Sequence, residues 1–378
     1  MQKRYLVTPG PSPVPQEVLL EMGREIIHHR TPEFRGYIAR ATENLQKIFG
    51  AENDTFIFAS SGTGAMEAAV SNVLSAGDRA IAIRGGKFGE RWGELVEAFG
   101  GQVIPLDIEW GTAPDPQEVK RLLDENPDAK VVYATLCETS TATATDVEAL
   151  GEVVKDTPAL LAVDGISGVG AMEMRADDWN VDLLAVGSQK ALMLPPGLAF
   201  LSVSEKAWKV IEKAERRAYY FDLLAARKKL KDNDTPYTGA VSLVRALAVA
   251  TDMIVAEGVD NVVARHRTLA GAMRAAVKAL GLELLSKSPA DAVTAILLPD
   301  EVDGAALKDR LEEEYGVTVA GGQAQLKGKI LRLAHMGYMA EFDVITAVSA
   351  LEMALADAGY DVKLGAGVAA AEKALARG

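Results

Sequence analysis

The chain has 378 residues, 49% of them hydrophobic and 25% charged, which is typical of a globular protein with one large and one smaller domain. Forty basic and fifty-three acidic residues give a formal charge of -13, which would repel a phosphate backbone, so we expect no nucleic-acid partner. We also expect no membrane partner and a cytoplasmic location, because the sequence has no secretory signal, no bilayer-spanning apolar run and only one cysteine, Cys137.

Residues 1–18 predict an extended arm, because four prolines between positions 9 and 15 would break a helix. Thr31 followed by Pro32 then predicts the start of a helix that ends at Gly50. Strands are predicted at 56–60, 79–83, 102–106, 131–136, 159–164, 182–188 and 197–203, with helices at 65–74, 90–99, 116–124 and 147–155. This alternation predicts an α/β fold whose mostly parallel sheet is covered by helices on both faces.

From about Ala246 the sequence becomes rich in alanine. Helices are predicted at 247–258, 264–281, 304–314 and from about 341, with strands at 293–299, 317–320 and 329–335. These elements predict a smaller C-terminal α+β domain, and the charged, turn-rich segment Tyr219–Gly239 precedes it. We therefore expect an arm at 1–18, a large cofactor-binding domain at 19–250 and a small domain at 251–378.

Candidate functional residues follow the predicted strands, because open parallel sheets bind ligands at the carboxyl ends of their strands. Ser60–Gly64 could cradle a phosphate with backbone N–H groups, or it could be a plain serine-capped turn. Asp164 and Lys190 follow two further strands and suit a cofactor that needs a proton partner and a covalent anchor; singly, each could be a surface charge. Gly168 and Gly170 have the spacing of a dinucleotide fingerprint, but Glu173 stands where its third glycine is required, which disfavours a nicotinamide cofactor.

Several motifs carry a resemblance that covers nearly the whole chain. They are Pro9-Gly10-Pro11, SSGTGAMEAA, GKFGERW, ETSTA, VDGISGVGA, GSQKALMLPPGLAF, TPYTGAVSL and GKILRLAHMG. The chain resembles the class V aminotransferases of fold type I, which depend on pyridoxal 5'-phosphate, and within them the alanine/serine–glyoxylate group. Some sequences of that group carry the label of a soluble hydrogenase small subunit. The most specific motif is SQKAL followed by Pro-Pro-Gly, with Asp164 upstream of Lys190.

The resemblance implies a role for each residue that matches the family's motifs. Lys190 matches the lysine that forms the Schiff base with the cofactor and moves the substrate proton, and Asp164 matches the partner of the pyridine nitrogen. The other matched cofactor contacts are Ser61, Gly62, Thr63 and Gln189 at the phosphate, Phe88 and Ile166 on the two ring faces, Thr139 near the phenolic oxygen, and Tyr237 and Thr238, which reach the phosphate from the neighbouring subunit. A homodimer with shared active sites follows, although Gly239 stands where the family commonly has proline.

The resemblance also implies a ping-pong transfer from a small amino acid to a 2-oxo acid. Arg332 matches the arginine that grips the substrate carboxylate, and Gly10 would bring backbone close to the substrate side chain. This favours alanine or serine as donor and glyoxylate or pyruvate as acceptor. The cluster His28-His29-Arg30 could accept aspartate if it enters a partner's site, or it could be a solvated helix end.

Three alternatives remain open at this point. The chain could be a lyase or a phosphoserine-type aminotransferase on the same fold, or a non-catalytic subunit of a redox complex. A cysteine desulfurase is disfavoured because no cysteine follows Cys137, and the four scattered histidines give no reason to expect a metal.

Overall fold

The computed structural model describes residues 3–215 and 218–376. Its strands are β1 (Tyr5–Leu6), β2 (Asp54–Phe58), β3 (Arg79–Arg84), β4 (Gln102–Asp107), β5 (Val131–Thr135), β6 (Cys137–Glu138), β7 (Thr143–Ala144), β8 (Leu160–Asp164), β9 (Leu183–Gly187), β10 (Ala199–Val203), β11 (Glu283–Leu284), β12 (Val293–Leu297), β13 (Val317–Thr318), β14 (Ala320–Gly321) and β15 (Ile330–Ala334). Its α-helices are α1 (Gln16–Met22), α2 (Pro32–Phe49), α3 (Gly62–Ser71), α4 (Lys87–Ala98), α5 (Pro116–Glu125), α6 (Val147–Val154), α7 (Glu205–Ile211), α8 (Leu223–Leu230), α9 (Val241–Glu257), α10 (Val259–Ala279), α11 (Gly304–Glu313), α12 (Glu341–Asp357) and α13 (Ala366–Leu375).

A seven-stranded sheet with the order β2-β10-β9-β8-β5-β3-β4 forms the centre of the fold. The pairs from β9 through β8, β5 and β3 to β4 are parallel, whereas β10 runs antiparallel to both of its neighbours. All strands except β10 therefore point the same way, and their carboxyl ends lie along one edge of the sheet. The segments that follow β2, β8 and β9 carry predicted site residues.

Helices cover both faces of this sheet, because successive strand residues alternate between two hydrophobic cores. In β8, Leu161 and Val163 pack into the core that also buries α2, α5, α6 and α9. Leu160 and Ala162 of the same strand pack into the second core, with α3, α4, α7 and α8. The two-sided burial explains the unbroken apolar runs in the sequence, and the predicted α/β class is confirmed.

A second, antiparallel sheet with the order β11-β12-β15-β14 packs with α10, α11, α12 and α13 around a separate core. Strand β1 of the N-terminal arm pairs with β13 next to this sheet. Helix α9 spans the expected boundary between residues 250 and 251 and packs into the first core of the large sheet. The division into residues 1–18, 19–250 and 251–378 stays a prediction.

The structure departs from the predicted elements in a few places. Strand β10 is antiparallel to β9, and the link at residues 188–198 forms turns instead of the helix that usually connects parallel strands. The segment Tyr219–Gly239 contains helix α8, whose first turn is capped by the side chain of Asp222. The predicted strand at 317–320 is split into β13 and β14. Among the described residues, no helix combines the length and apolarity needed to cross a membrane.

Candidate active site

The loop after β2 leads directly into helix α3 through small residues. Ser61 is the N-cap residue of α3, and its side chain makes no capping hydrogen bond in the described structure. The alternative of a plain serine-capped turn is therefore wrong. Within the described residues, the N–H group of Gly64 donates to the Ser61 carbonyl oxygen at 2.8 Å, whereas those of Gly62 and Thr63 have no hydrogen-bond partner and could bind a ligand. A Cβ atom on Gly62 would lie 2.5 Å from Ile166 Cδ1, so only glycine fits here without displacing that side chain.

Asp164 is the last residue of β8, and its carboxyl group is buried at the carboxyl edge of the sheet. Its Oδ1 atom accepts a hydrogen bond of 2.8 Å from the N–H group of Ile166. Burial raises the pKa of Asp164 from 3.8 to about 7, although the charge of Lys190 opposes the shift. The site thus contains a carboxylate that would gain from a positively charged partner.

Lys190 lies in the turn that follows β9, beside the N-terminal arm. Its Nζ atom donates a hydrogen bond to the carbonyl oxygen of Pro9, and Ser12 Oγ donates to the carbonyl oxygen of Lys190 at 2.7 Å. Gly10 has a φ of +131°, and a Cβ atom there would lie 2.5 Å from Lys190 Cε. The backbone of the arm therefore packs directly on the lysine side chain.

Two electrostatic effects act on the Lys190 amine. Burial lowers its pKa from 10.5 to about 8, while Cys137 and Asp164 oppose this shift and Arg332 reinforces it. A substantial fraction of the amine is therefore neutral at slightly alkaline pH. Cys137 is itself buried next to this cluster, and burial raises the pKa of its thiol; the thiol is thus held protonated.

Arg332 projects from β15 of the antiparallel sheet toward the same edge. Its Nη1 atom donates to the carbonyl oxygen of Thr139 and its Nε atom to that of Gly321, each at 2.9 Å. The structure shows no described partner for its Nη2 atom, so the guanidinium group is oriented and still has donors for a carboxylate. Thr139 is also buried, directly after β6. Lys190, Asp164, Arg332 and Thr139 are thus brought together.

Two residues that sequence reasoning missed stabilise the region around Phe88. Glu138 is buried, and its carboxylate accepts hydrogen bonds from the N–H groups of Phe88 (3.0 Å) and Gly89 (2.9 Å) and from the hydroxyl of Ser140 (2.6 Å). Burial raises the pKa of Glu138, and these hydrogen bonds oppose the rise. The position of Glu138 next to Thr139 was the available signal, because a strand end at this edge is where ligands bind.

Arg91 is the second missed residue, and it connects helix α4 to the first turn of α3. Its Nη1 atom donates to Thr63 Oγ1 at 3.2 Å, and its guanidinium carbon lies 4.9 Å from the centre of the Phe88 ring. The positive charge of Arg91 also lowers the pKa of Asp164 and of Lys190. The residue belongs to GKFGERW, the segment quoted for the resemblance.

Gln189 lies next to Lys190 with a buried Oε1 atom that has no hydrogen-bond partner within the described chain. A Cβ atom on Gly187 would lie 3.1 Å from Ile166 Cγ2 and 3.3 Å from Gln189 Oε1, so glycine at positions 62 and 187 lets α3, Ile166 and Gln189 approach one another closely. The anion-binding feature of this region is the start of α3, where Ser61 makes no capping hydrogen bond.

Tyr237 and Thr238 are not brought to this cluster by any hydrogen bond of the described chain. Tyr237 stacks on Tyr220 at 5.3 Å and donates from its hydroxyl to the carbonyl oxygen of Tyr219 at 3.0 Å. Their loop is held by Arg30, which pairs with the buried Asp234 at 2.5 Å and donates to the carbonyl oxygen of Thr235 at 2.7 Å. Arg30 is therefore bound to this loop, whereas His28 of the same cluster is exposed, and contact of the cluster with a substrate stays a prediction.

Comparison with known proteins gives the class of this molecule. The family model for class V aminotransferases matches residues 4–342. The chain is 39% identical to a serine–glyoxylate aminotransferase of Hyphomicrobium methylovorum, over 97% of this chain and 93% of the relative, and 36% identical to an L-aspartate–glyoxylate aminotransferase of Paracoccus denitrificans, over 97% and 94%. The crystal structure of a ureidoglycine–glyoxylate aminotransferase from Bacillus subtilis superposes with a TM-score of 0.94 at 28% identity, covering 99% of this chain and 98% of that one.

The chain belongs to the class V aminotransferases. It is a transaminase, and its cofactor is pyridoxal phosphate. The residues present fit this group: the uncapped start of α3 suits the phosphate, Asp164 suits the ring nitrogen, and Lys190 suits the aldehyde. The individual roles of these residues stay predictions.

Proposed function

We propose that the protein transfers the amino group of a small L-amino acid, alanine or serine with aspartate as a third candidate, to glyoxylate or pyruvate. The observation that carries this proposal is that Lys190, Asp164 and Arg332 come from three separate segments and lie close enough for Asp164 to raise the pKa of Lys190 and for Arg332 to lower it. Relatives whose names specify serine–glyoxylate and aspartate–glyoxylate transfer support the choice of donors and of glyoxylate.

Arg332 is the proposed receptor for the substrate carboxylate. A planar guanidinium group binds a carboxylate with two parallel hydrogen bonds, and the contacts to Thr139 and Gly321 fix its plane before substrate arrives. The conformational entropy of the Arg332 side chain is therefore lost when the protein folds and not when the substrate binds. Gly10 packs against the Lys190 side chain, and the proposal assigns to the backbone there the selection of small substrate side chains.

Lys190 is the proposed anchor and proton carrier. When bound, pyridoxal phosphate supplies an aldehyde for the lysine amine and an electron-withdrawing ring that accepts the charge left when the substrate Cα proton departs. The lowered pKa of Lys190, about 8, gives a neutral amine that can take this proton at Cα and return it. The hydrogen bond to the Pro9 carbonyl and the one from Ser12 hold this side chain and its backbone in place.

Asp164 is the proposed partner of the ring nitrogen. Its carboxyl group is held by the Ile166 N–H group at the end of β8, so it is oriented before the cofactor binds. A buried carboxylate with a raised pKa is stabilised by a cationic N–H donor more than an exposed one would be, because water screens the exposed pair. Asp164 would thereby keep the ring nitrogen protonated.

The proposal includes a homodimer with shared sites. Tyr237 and Thr238 lie on a loop that Arg30 and Arg35 attach to Asp234, and their described hydrogen bonds do not reach Lys190. A second copy could bring this loop to the phosphate, and the exposed side chains of Tyr219 and Tyr220 offer apolar surface for such a contact. The proposal places the dimer in the cytoplasm, with the buried thiol of Cys137 reduced.

A two-substrate kinetic panel tests the proposal. The purified protein is given alanine, serine or aspartate as donor with glyoxylate or pyruvate as acceptor, and kcat/KM is measured for each of the five pairs that give new products; alanine with pyruvate only regenerates itself. We expect parallel double-reciprocal lines for at least one pair with glyoxylate. Failure of all five pairs by a protein that has bound its cofactor would overturn the proposed substrates.

The same samples separate the remaining alternatives. A lyase would release ammonia from serine without any acceptor, and a phosphoserine-type enzyme would prefer phosphoserine to all three donors. A non-catalytic redox subunit would show no transfer when purified alone. We expect none of these results, because three oriented groups at the strand ends serve a transfer reaction and have no part in a scaffold.

A further inference from the structure

Arg91 is a charged residue near the site that pairs with no carboxylate among the described residues. Within residues 3–215 and 218–376, its polar contact is the hydroxyl of Thr63. The glutamate beside it in α4, Glu90, pairs with Lys87 instead. A half-buried guanidinium group without a paired carboxylate loses hydration, and other contacts have to compensate for that loss.

Arg91 touches one residue from each of two helices. Its Nη1 atom lies 3.2 Å from Thr63 Oγ1 in the first turn of α3, and its guanidinium carbon lies 4.9 Å from the centre of the Phe88 ring in the first turn of α4. The first contact is a hydrogen bond and the second a cation–π contact. One side chain therefore fixes a hydroxyl group and an aromatic ring at the same time.

The hydrogen bond also decides the direction of the Thr63 hydroxyl. A hydroxyl group has one hydrogen to donate and two lone pairs to accept. Because Arg91 donates to Thr63 Oγ1, one lone pair is occupied and the hydroxyl hydrogen remains for another acceptor. An anion at the uncapped start of α3 is an acceptor of the required kind.

We propose that Arg91 is a positioning residue that holds the Thr63 hydroxyl and the Phe88 ring together for the phosphate and the ring of the cofactor. This inference rests on the proposed cofactor contacts of Thr63 and Phe88. Glu138 complements it, since that carboxylate holds the backbone of Phe88 while Arg91 holds its ring. Glu138 thus restrains the backbone of Phe88, and Arg91 restrains its ring.

The test is a double-mutant cycle on cofactor binding to the apo protein. The variants are Arg91→Met, Thr63→Val and the pair together, with Arg91→Lys as the conservative change. Arg121→Met serves as the control, because Arg121 is an exposed arginine on α5 that pairs only with Glu118 and Glu125 among described residues. Absorbance titration with pyridoxal phosphate gives the Kd, and visible circular dichroism per bound cofactor reports how firmly the ring is held.

We expect Arg91→Met and Thr63→Val each to raise the Kd by about tenfold, as the loss of one charge-assisted hydrogen bond does, and the double variant to be no weaker than the worse single one. Arg91→Lys should recover part of the affinity but not the dichroism, because a lysine cannot lie flat on the Phe88 ring. Arg121→Met should match the wild type. Near-ultraviolet circular dichroism of the apo variants checks that they fold. If Arg91→Met does not fold, Arg91→Lys replaces it in the double-mutant cycle with Thr63→Val.

Other results would overturn the inference. A wild-type Kd for Arg91→Met, or fully additive effects in the double variant, would mean that the two residues act independently. An unchanged Kd with a raised KM for aspartate alone would assign Arg91 to the substrate. If the wild-type chain itself fails to bind pyridoxal phosphate, the proposed function fails first, and this inference with it.

Discussion

Replacing Gly10 with alanine probes the contact between the arm and the lysine. The added Cβ atom would lie 2.5 Å from Lys190 Cε and 2.7 Å from Cδ, whereas carbon atoms in ordinary contact lie about 3.5–4.0 Å apart. The side chain of Lys190 must therefore move by about 1 Å. A displacement of that size at a reacting group costs about 100-fold in rate.

The same substitution has a smaller effect on stability. Gly10 has a φ of +131°, a region that costs a residue with a side chain about 1–3 kcal/mol. The crowded atoms belong to the flexible end of a lysine, which can shift at little further cost. We therefore expect Gly10→Ala to fold, with a free energy of unfolding lowered by about 1–3 kcal/mol, and to lose most of its rate.

The assay is stopped-flow absorbance of the first half-reaction at saturating donor, with urea unfolding on the same samples. Gly36→Ala is the matched control, because Gly36 lies in α2 with nothing within 4 Å of the added atom. That change should leave the rate constant unaltered and stabilise the protein by about 0.5–1 kcal/mol. A folded Gly10→Ala protein with a rate constant close to that of the wild type would refute the reasoning.

Three further predictions follow from the charges of the site. Because the pKa of Asp164 is raised from 3.8 to about 7, the folded apo protein binds a proton more tightly than the unfolded chain, so its free energy of unfolding falls as the pH rises from about 4 to about 7. At about 1.36 kcal/mol per pKa unit the loss is about 4 kcal/mol. Urea unfolding should show this loss in the wild type and not in Asp164→Asn. An equal pH dependence in both proteins would contradict this. Arg332→Lys should raise the donor KM by about 10- to 100-fold, because a lysine cannot bind both carboxylate oxygens in parallel; an unchanged KM would remove Arg332 from the substrate. Glu138→Gln should lower the free energy of unfolding by about 2 kcal/mol, because an amide cannot accept all the hydrogen bonds that this carboxylate accepts; the exposed Glu94→Gln on α4 is the control, and equal effects of the two changes would count against the role of Glu138.

The central sheet could be predicted from the sequence because burial on both faces leaves a plain pattern. Strands such as β5, β8 and β9 are unbroken apolar runs, and they were predicted within about a residue of their actual bounds. The direction of β10 could not be predicted, because strand patterning does not depend on the direction of pairing. The link at residues 188–198 has no helical pattern, but its eleven residues do not by themselves exclude a parallel crossover.

The candidate site was predicted in part. Residues in specific motifs, such as Asp164 and Lys190, were found because their type and position after a strand indicate chemistry. Glu138 and Arg91 were missed because their importance lies in contacts between segments that are distant in sequence: Glu138 reaches Phe88 and Gly89 about fifty positions away. Only the fold brings such partners together.

The pairing of Arg30 with Asp234 illustrates the same limit. These residues are separated by 204 positions, and neither carries a motif that names the other. In the sequence Arg30 appears as the end of a charged cluster, and its burial against a loop follows from the packing of α2 beside that loop. Side-chain pairs between distant segments therefore had to come from the structure.

The measurement that tests the account most directly is the visible absorption spectrum of the purified protein through one complete cycle. The cofactor band of the wild type should change on addition of an amino donor and return on addition of glyoxylate, while Lys190→Ala, with cofactor bound, should complete neither change at a measurable rate. A Lys190→Ala protein that cycles like the wild type would contradict the central claim that this lysine carries the transfer.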